Sequence, residues 1–180
     1  MSQPLDKSRP LNIDVKLGVD RKDLKRLQQR FVAISERRLA ISQQYLNTRQ
    51  SAFISALPLF LHVNHSQLPG YYDDNTPYGV ANYQPDKNAI TGARNFWSSF
   101  SYKKQHHKKN EILGVYLMGS TGSIAHSHTS DFDVWVIHHH SISNTRLQHL
   151  QQRCHALEKT AEKQNLDLHI FLINPEQFSA

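Results

Sequence analysis

Two carboxylates, Asp131 and Asp133, open an apolar run that continues through Phe132, Val134, Trp135 and Val136. Successive side chains of a strand point to opposite faces, so Asp131, Asp133 and Trp135 share one face while Phe132, Val134 and Val136 line the other. One pleat repeat separates the two acids by ~7 Å at Cα, close enough to share divalent cations in a two-metal site; without cations they would repel. Upstream, an apolar run from Ile112 to Met118 breaks at Gly119-Ser120, and small or polar residues fill 121–130. Gly119 lets the backbone approach a ligand closely, Ser120 offers a hydroxyl, and the residues after them can open a short helix whose free N–H groups face an anion. Strand, phosphate-sized turn and acidic strand together suit a triphosphate with its metal.

Other elements must position this unit. From Asp20, a plausible N-cap with Asp23 in the first turn, Leu24, Leu27, Phe31, Ile34, Ile41 and Tyr45 recur at helical spacing. The pattern predicts a long amphipathic helix docked on the core, and Arg38 interrupts its stripe. A second, buried helix is expected over 49–63. Residues 64–86 carry Pro69, Pro77 and Pro85 among Gly, Asn, Asp and Tyr, marking an irregular ordered loop. Its tyrosines, Tyr71, Tyr72, Tyr78 and Tyr83, suit packing against the core better than stacking on a base. Asp86 can cap a helix reaching Phe100, with Ile90, Ala93, Trp97 and Phe100 on one face. The run 103–109, with Lys103, Lys104, Lys108 and Lys109 around His106 and His107, reads as a solvated connection.

Beyond the acidic strand, His138, His139 and His140 read as exposed and lack the spaced arrangement of a structural zinc site. Asn144 is expected to cap a helix with Leu147, Leu150, Cys154, Leu157 and Ala161 as its apolar stripe, ending near Asn165; Cys154 is then core. Leu166, Leu168, Ile170 and Leu172 alternate with Asp167, His169, Phe171 and Ile173, giving a third strand. The intervening helix permits a parallel crossover, which brings Asp167 to the same end of the sheet as Asp131 and Asp133.

Lys and Arg outnumber Asp and Glu by 21 to 15, a net charge of +6 that suits polyanionic partners without naming one. The single cysteine excludes an intrachain disulfide and favours a reducing compartment. No signal-peptide core opens the chain and no membrane-length apolar run occurs, so a cytoplasmic protein without a membrane span is expected. Nucleic acid is a poor candidate partner, because no aromatic-basic recognition motif accompanies the charge.

The order strand, Gly-Ser, spacer and Asp-x-Asp resembles the signature of the DNA polymerase beta-like nucleotidyltransferases. Met118-Gly119-Ser120-Thr121, Ser130-Asp131-Phe132-Asp133-Val134-Trp135-Val136, Leu57-Pro58-Leu59 and Leu68-Pro69-Gly70-Tyr71 narrow the likeness to the N-terminal catalytic region of class I adenylate cyclases. The resemblance covers roughly Asp20 to the end of this chain and only the front of that family's longer chains.

It implies an α/β (α+β) fold: a small, palm-like mixed sheet with flanking helices and an N-terminal helical segment. Residues 1–19 form a polar lead whose composition allows disorder, 20–86 the helical segment and Pro/Tyr-rich loop, and 87–180 a nucleotidyltransferase-like core incomplete at its C-terminal side. The implied activity converts ATP to 3′,5′-cyclic AMP and pyrophosphate. Two Mg²⁺ or Mn²⁺ would be held by Asp131, Asp133 and Asp167, with Asp167 alternatively the proton acceptor. Gly119, Ser120, Thr121 and Ser130 would face the phosphates, and Trp135 would floor the site. Nucleotidyl transfer to another acceptor, or a catalytically silent nucleotide-binding or regulatory domain, stays open beside it. So does a regulatory domain or protein partner outside this chain.

Overall fold

The computed structural model describes residues 20–103, 110–119, 121–123, 127 and 130–178. Four helices and three strands follow in the order α1 (Arg21–Gln43), α2 (Thr48–His62), α3 (Lys87–Arg94), β1 (Ile112–Leu117), β2 (Phe132–His138), α4 (Asn144–Glu162) and β3 (Leu168–Ile173), with a 3-10 turn at Pro175–Phe178. The strands form one mixed sheet in the order β1-β2-β3, β1 antiparallel and β3 parallel to β2. This is a small α+β architecture of the nucleotidyltransferase kind.

The centre of the molecule is α2. Asn47 caps it reciprocally: its side chain accepts from the N–H of Arg49 and Gln50 at 3.0 Å each, and Gln50 returns a bond to the Asn47 N–H at 3.1 Å. Phe53, Leu59, Phe60 and Leu61 are wholly inaccessible, which is why so uniformly apolar a helix is tolerated. Phe132, Val134 and Val136 of β2, Leu168 and Ile170 of β3, and Leu150, Cys154 and Leu157 of α4 join the same core. Burial pushes the Cys154 thiol up to about 12, so it packs as a small hydrophobe and is not a nucleophile.

Four expectations need correction. The first helix forms with Asp20 as cap, accepting from Asp23 N–H at 2.7 Å, yet its stripe is not docked: Leu24, Leu27, Phe31 and Ile34 are 40–59% exposed. It meets the body through its C-terminal half and the edge-on contact of Phe31 with Tyr116. The third helix stops at Arg94 rather than Phe100, because Arg94 Nε donates to the Phe100 carbonyl at 3.0 Å and closes a turn. His138 is buried, since β2 alternation puts it on the core face with Val134 and Val136. The cap of α4 is Ser143, one residue before Asn144.

The 64–86 loop is ordered from beneath by Arg153 of α4, which is fully buried. Its guanidinium donates to the carbonyls of Gly70 at 3.1 Å, Pro77 at 2.8 Å and Val63 at 3.4 Å, and to Asn64 Oδ1. Burial pulls its pKa down to about 10, which leaves it charged at neutral pH. The loop tyrosines pack or bond locally: Tyr83 lies edge-on to His62, Tyr72 to His149, and Tyr71 donates to Asp74 at 2.9 Å.

Candidate functional site

Strand β2 carries buried and half-buried residues in strict alternation, with Phe132, Val134 and Val136 inward and Asp133 and Trp135 on the opposite, open face. Asp131 immediately precedes the strand and is half-buried. Phe132 pairs with Leu168 and Asp133 with His169, and the Phe132 N–H donates to the Asp167 carbonyl at 2.8 Å. The Asp167 backbone therefore stands one step before the inward-facing Leu168, and the parallel crossover brings the backbones of Asp131, Asp133 and Asp167 to one end of the sheet.

Across β1 the ladder runs past its last residue, for the Met118 N–H donates to the Asp133 carbonyl at 2.7 Å. The chain then turns sharply at Gly119, φ +65°, and Gly122, φ +65°. At neither position can a side chain be added without displacing a neighbour. A Cβ on Gly119 would lie 2.5 Å from Asp133 Oδ2, and one on Gly122 would lie 2.0 Å from the Arg38 carbonyl. The turn is thus wedged between an Asp133 carboxylate oxygen and the backbone of α1.

Three of its carbonyls are occupied. Arg38 Nε donates to Thr121 O at 2.8 Å, and Nη2 donates to Met118 O at 3.3 Å and to Gly119 O. Two of its amides are not: among the described residues no hydrogen bond engages the N–H of Gly119 or Gly122. Thr121 is 1% exposed and its hydroxyl donates to the Asp131 carbonyl at 3.1 Å, so it fastens the turn to the acidic strand. Ser130 Oγ accepts from the Ser127 N–H at 2.9 Å and shapes the approach to Asp131. Ser120, like Lys104 to Lys109, lies outside the described residues.

Behind the acids the open face turns aromatic. Trp135 pairs with Tyr116 on one side and Phe171 on the other, forming a row one pleat repeat from Asp133 and His169. Phe171 is 47% exposed.

Two members of this constellation escaped the sequence patterns. His169 is in register with Asp133, and its Nε2 lies 3.2 Å from Asp167 Oδ1; its alternation with Asp167 was the available signal. Arg38 was visible only as an interruption in an apolar stripe.

The donor types suit a hard cation: carboxylates at one end of the sheet beside a turn in which the Gly119 and Gly122 amides have no partner among the described residues. Among the described residues no three His, Cys, Asp or Glu side chains converge on a common metal position, and Asp167 contacts His169. Mg²⁺ does not need such a cage, since it is commonly held by one or two carboxylates plus substrate phosphates and water. Asp131 and Asp133 meet that requirement from the protein side.

The fold and this face define a small α+β domain of the nucleotidyltransferase type. Residues 23–180 match the family described as the adenylate cyclase NT domain, and the chain belongs to that family. It is 34% identical over 155 residues to an adenylate cyclase of Yersinia pestis and 32% identical over 154 residues to that of Escherichia coli K12, in each case over 84% of this chain. An adenylate cyclase of Salmonella typhimurium is 34% identical over 154 residues. The chain spans 18% of the length of these relatives. No solved structure matches it. Among the described residues no helix is long and apolar enough to cross a membrane.

Proposed function

We propose that this domain binds ATP with Mg²⁺ or Mn²⁺ on the open face of its sheet and carries the metal-binding part of an adenylate cyclase site, forming 3′,5′-cyclic AMP and pyrophosphate. The observation that carries the reading is the seat of Asp133 directly against Gly119: the acidic strand and the turn with free amides meet at one point, where metal and phosphates must meet. Bound cations would polarise the α-phosphate, favour ionisation of the 3′-hydroxyl and neutralise the departing pyrophosphate. Asp131 and Asp133 supply the oxygens that hold them, and Asp167, with His169 in contact, completes the set or accepts the hydroxyl proton. The N–H groups of Gly119 and Gly122, with the Ser120 hydroxyl, receive the β- and γ-phosphates. Thr121 and Ser130 keep that turn in register with Asp131, and Trp135, flanked by Tyr116 and Phe171, floors the site.

The test is Mn²⁺-ATP binding by calorimetry, with chromatographic separation of the products. Wild type is expected to bind weakly and to turn over slowly or not at all, because the family's longer chains supply further contacts. The Asp131→Asn/Asp133→Asn double variant is expected to lose binding while its melting temperature stays level or rises, since two like charges on one face repel. Retained binding with lowered stability would make the pair structural. Binding without product selects the silent nucleotide-binding alternative, and a nucleotidyl product other than cyclic AMP selects another acceptor.

A further inference from the structure

We infer that Arg38, on α1 and remote in sequence from the acidic strands, is a positioning residue that prepares the Gly119–Gly122 turn to receive phosphate; the inference rests on the nucleotide reading above. A bare turn offers an anion both signs of partial charge: its amides attract phosphate and its carbonyls repel it. Here one guanidinium takes up the carbonyls of Met118, Gly119 and Thr121. Arginine suits this task because its donors lie in a rigid planar fork, whereas a lysine ammonium is a compact point charge on a flexible stem.

Peptide geometry carries the consequence. Every peptide bond among the described residues is trans, and in a trans peptide the C=O and the following N–H point in opposite directions. Drawing the Met118 and Thr121 carbonyls toward Arg38 therefore turns the N–H groups of Gly119 and Gly122 away from it. These are two amides with no hydrogen-bond partner among the described residues. The guanidinium also leaves a positive charge behind the turn, which favours an anion in front of it. The fit is close on both sides, since a Cβ at Gly122 would strike the Arg38 carbonyl and one at Gly119 would strike Asp133 Oδ2. Helix α1, whose apolar stripe is largely exposed, thereby reaches the chemistry through Arg38 and shares with Asp133 the setting of one turn.

The experiment compares wild type, Arg38→Ala and Arg38→Lys for Mn²⁺-ATP, Mn²⁺-tripolyphosphate and adenosine, with ¹⁵N relaxation order parameters at Gly119 and Gly122 reading the rigidity of the turn. Arg38→Ala is expected to melt cooperatively, to bind the two polyphosphates at least tenfold more weakly, to bind adenosine as wild type does, and to lower the order parameters of both glycine amides. Arg38→Lys should fall between the two. A general loosening of the fold would weaken adenosine as well, so equal losses for all three ligands make Arg38 merely structural and overturn the inference. Unchanged polyphosphate affinity in Arg38→Ala, or unchanged order parameters at both glycines, overturns it while leaving the nucleotide reading intact. Failure of wild type to bind either polyphosphate removes the nucleotide reading and this inference together.

Discussion

Gly119 is the residue on which the geometry turns. Its left-handed backbone alone makes an L-residue cost about 1–2 kcal/mol there, and the added methyl would meet an Asp133 carboxylate oxygen at 2.5 Å. Gly119→Ala is accordingly expected to lower stability by that modest amount yet weaken Mn²⁺-ATP about as severely as Asp133→Asn, because the carboxylate must move aside. Thermal melts and calorimetry on the same samples check this. A variant that binds like wild type would show that Asp133 works from another position. Asp167 and His169 belong to the same scale: their 3.2 Å contact pairs the carboxylate of Asp167 with an imidazole. That contact also places an imidazole on the acidic face, which no carboxylate motif announces.

Helix α4 links the site to the rest of the molecule in two ways. It returns the chain so that β3 runs parallel to β2, and its buried Arg153 holds the 64–86 loop through three backbone carbonyls and Asn64. A buried carbonyl left without a donor costs about 1–3 kcal/mol, so Arg153→Ala should destabilise the fold by roughly 3 kcal/mol or more in chemical denaturation. Arg153→Lys should recover only part, since one ammonium cannot span acceptors at Val63, Gly70 and Pro77. A loss below ~1 kcal/mol for the alanine variant would mean that water replaces the guanidinium without penalty. The same helix supports the sheet edge: Glu158 accepts the Ile170 N–H of β3 at 2.7 Å, satisfying a donor that no strand among the described residues reaches.

At the scale of the molecule, burial is unevenly distributed. Leu59 of α2 is completely enclosed, whereas Ile34 of α1 is 59% exposed although it lies on an equally regular apolar pattern. Leu59→Ala should therefore cost about 3 kcal/mol, and Ile34→Glu should shift stability by no more than about 0.5 kcal/mol. Denaturant titrations of the two variants distinguish this arrangement from one in which the α1 stripe is part of the core; a large loss for Ile34→Glu would support the latter.

Most of the fold was legible in the sequence because it rests on short-range rules. Period-two alternation after Asp131 and after Leu166 specified both strands and the face of Asp133, and the segment 49–63 was apolar enough to be read as a buried helix. Asp20 and Asp86 marked helix starts through their own hydrogen bonds, accepting from the N–H groups of Asp23 and Ala89. What only the tertiary structure decided are the relations between segments distant along the chain. The same helical pattern describes a docked stripe and an exposed one, so α1 was misjudged; which face meets the body depends on residues far from it, such as Tyr116. His138 read as exposed by type, but the phase of β2 and the layer beneath it bury the ring. Arg38 read as a flaw in an apolar stripe because its acceptors, Met118, Gly119 and Thr121, lie at the far side of two helices and a strand. A hydrogen bond across such a separation leaves no periodicity in the residues between, so only the folded chain reveals it.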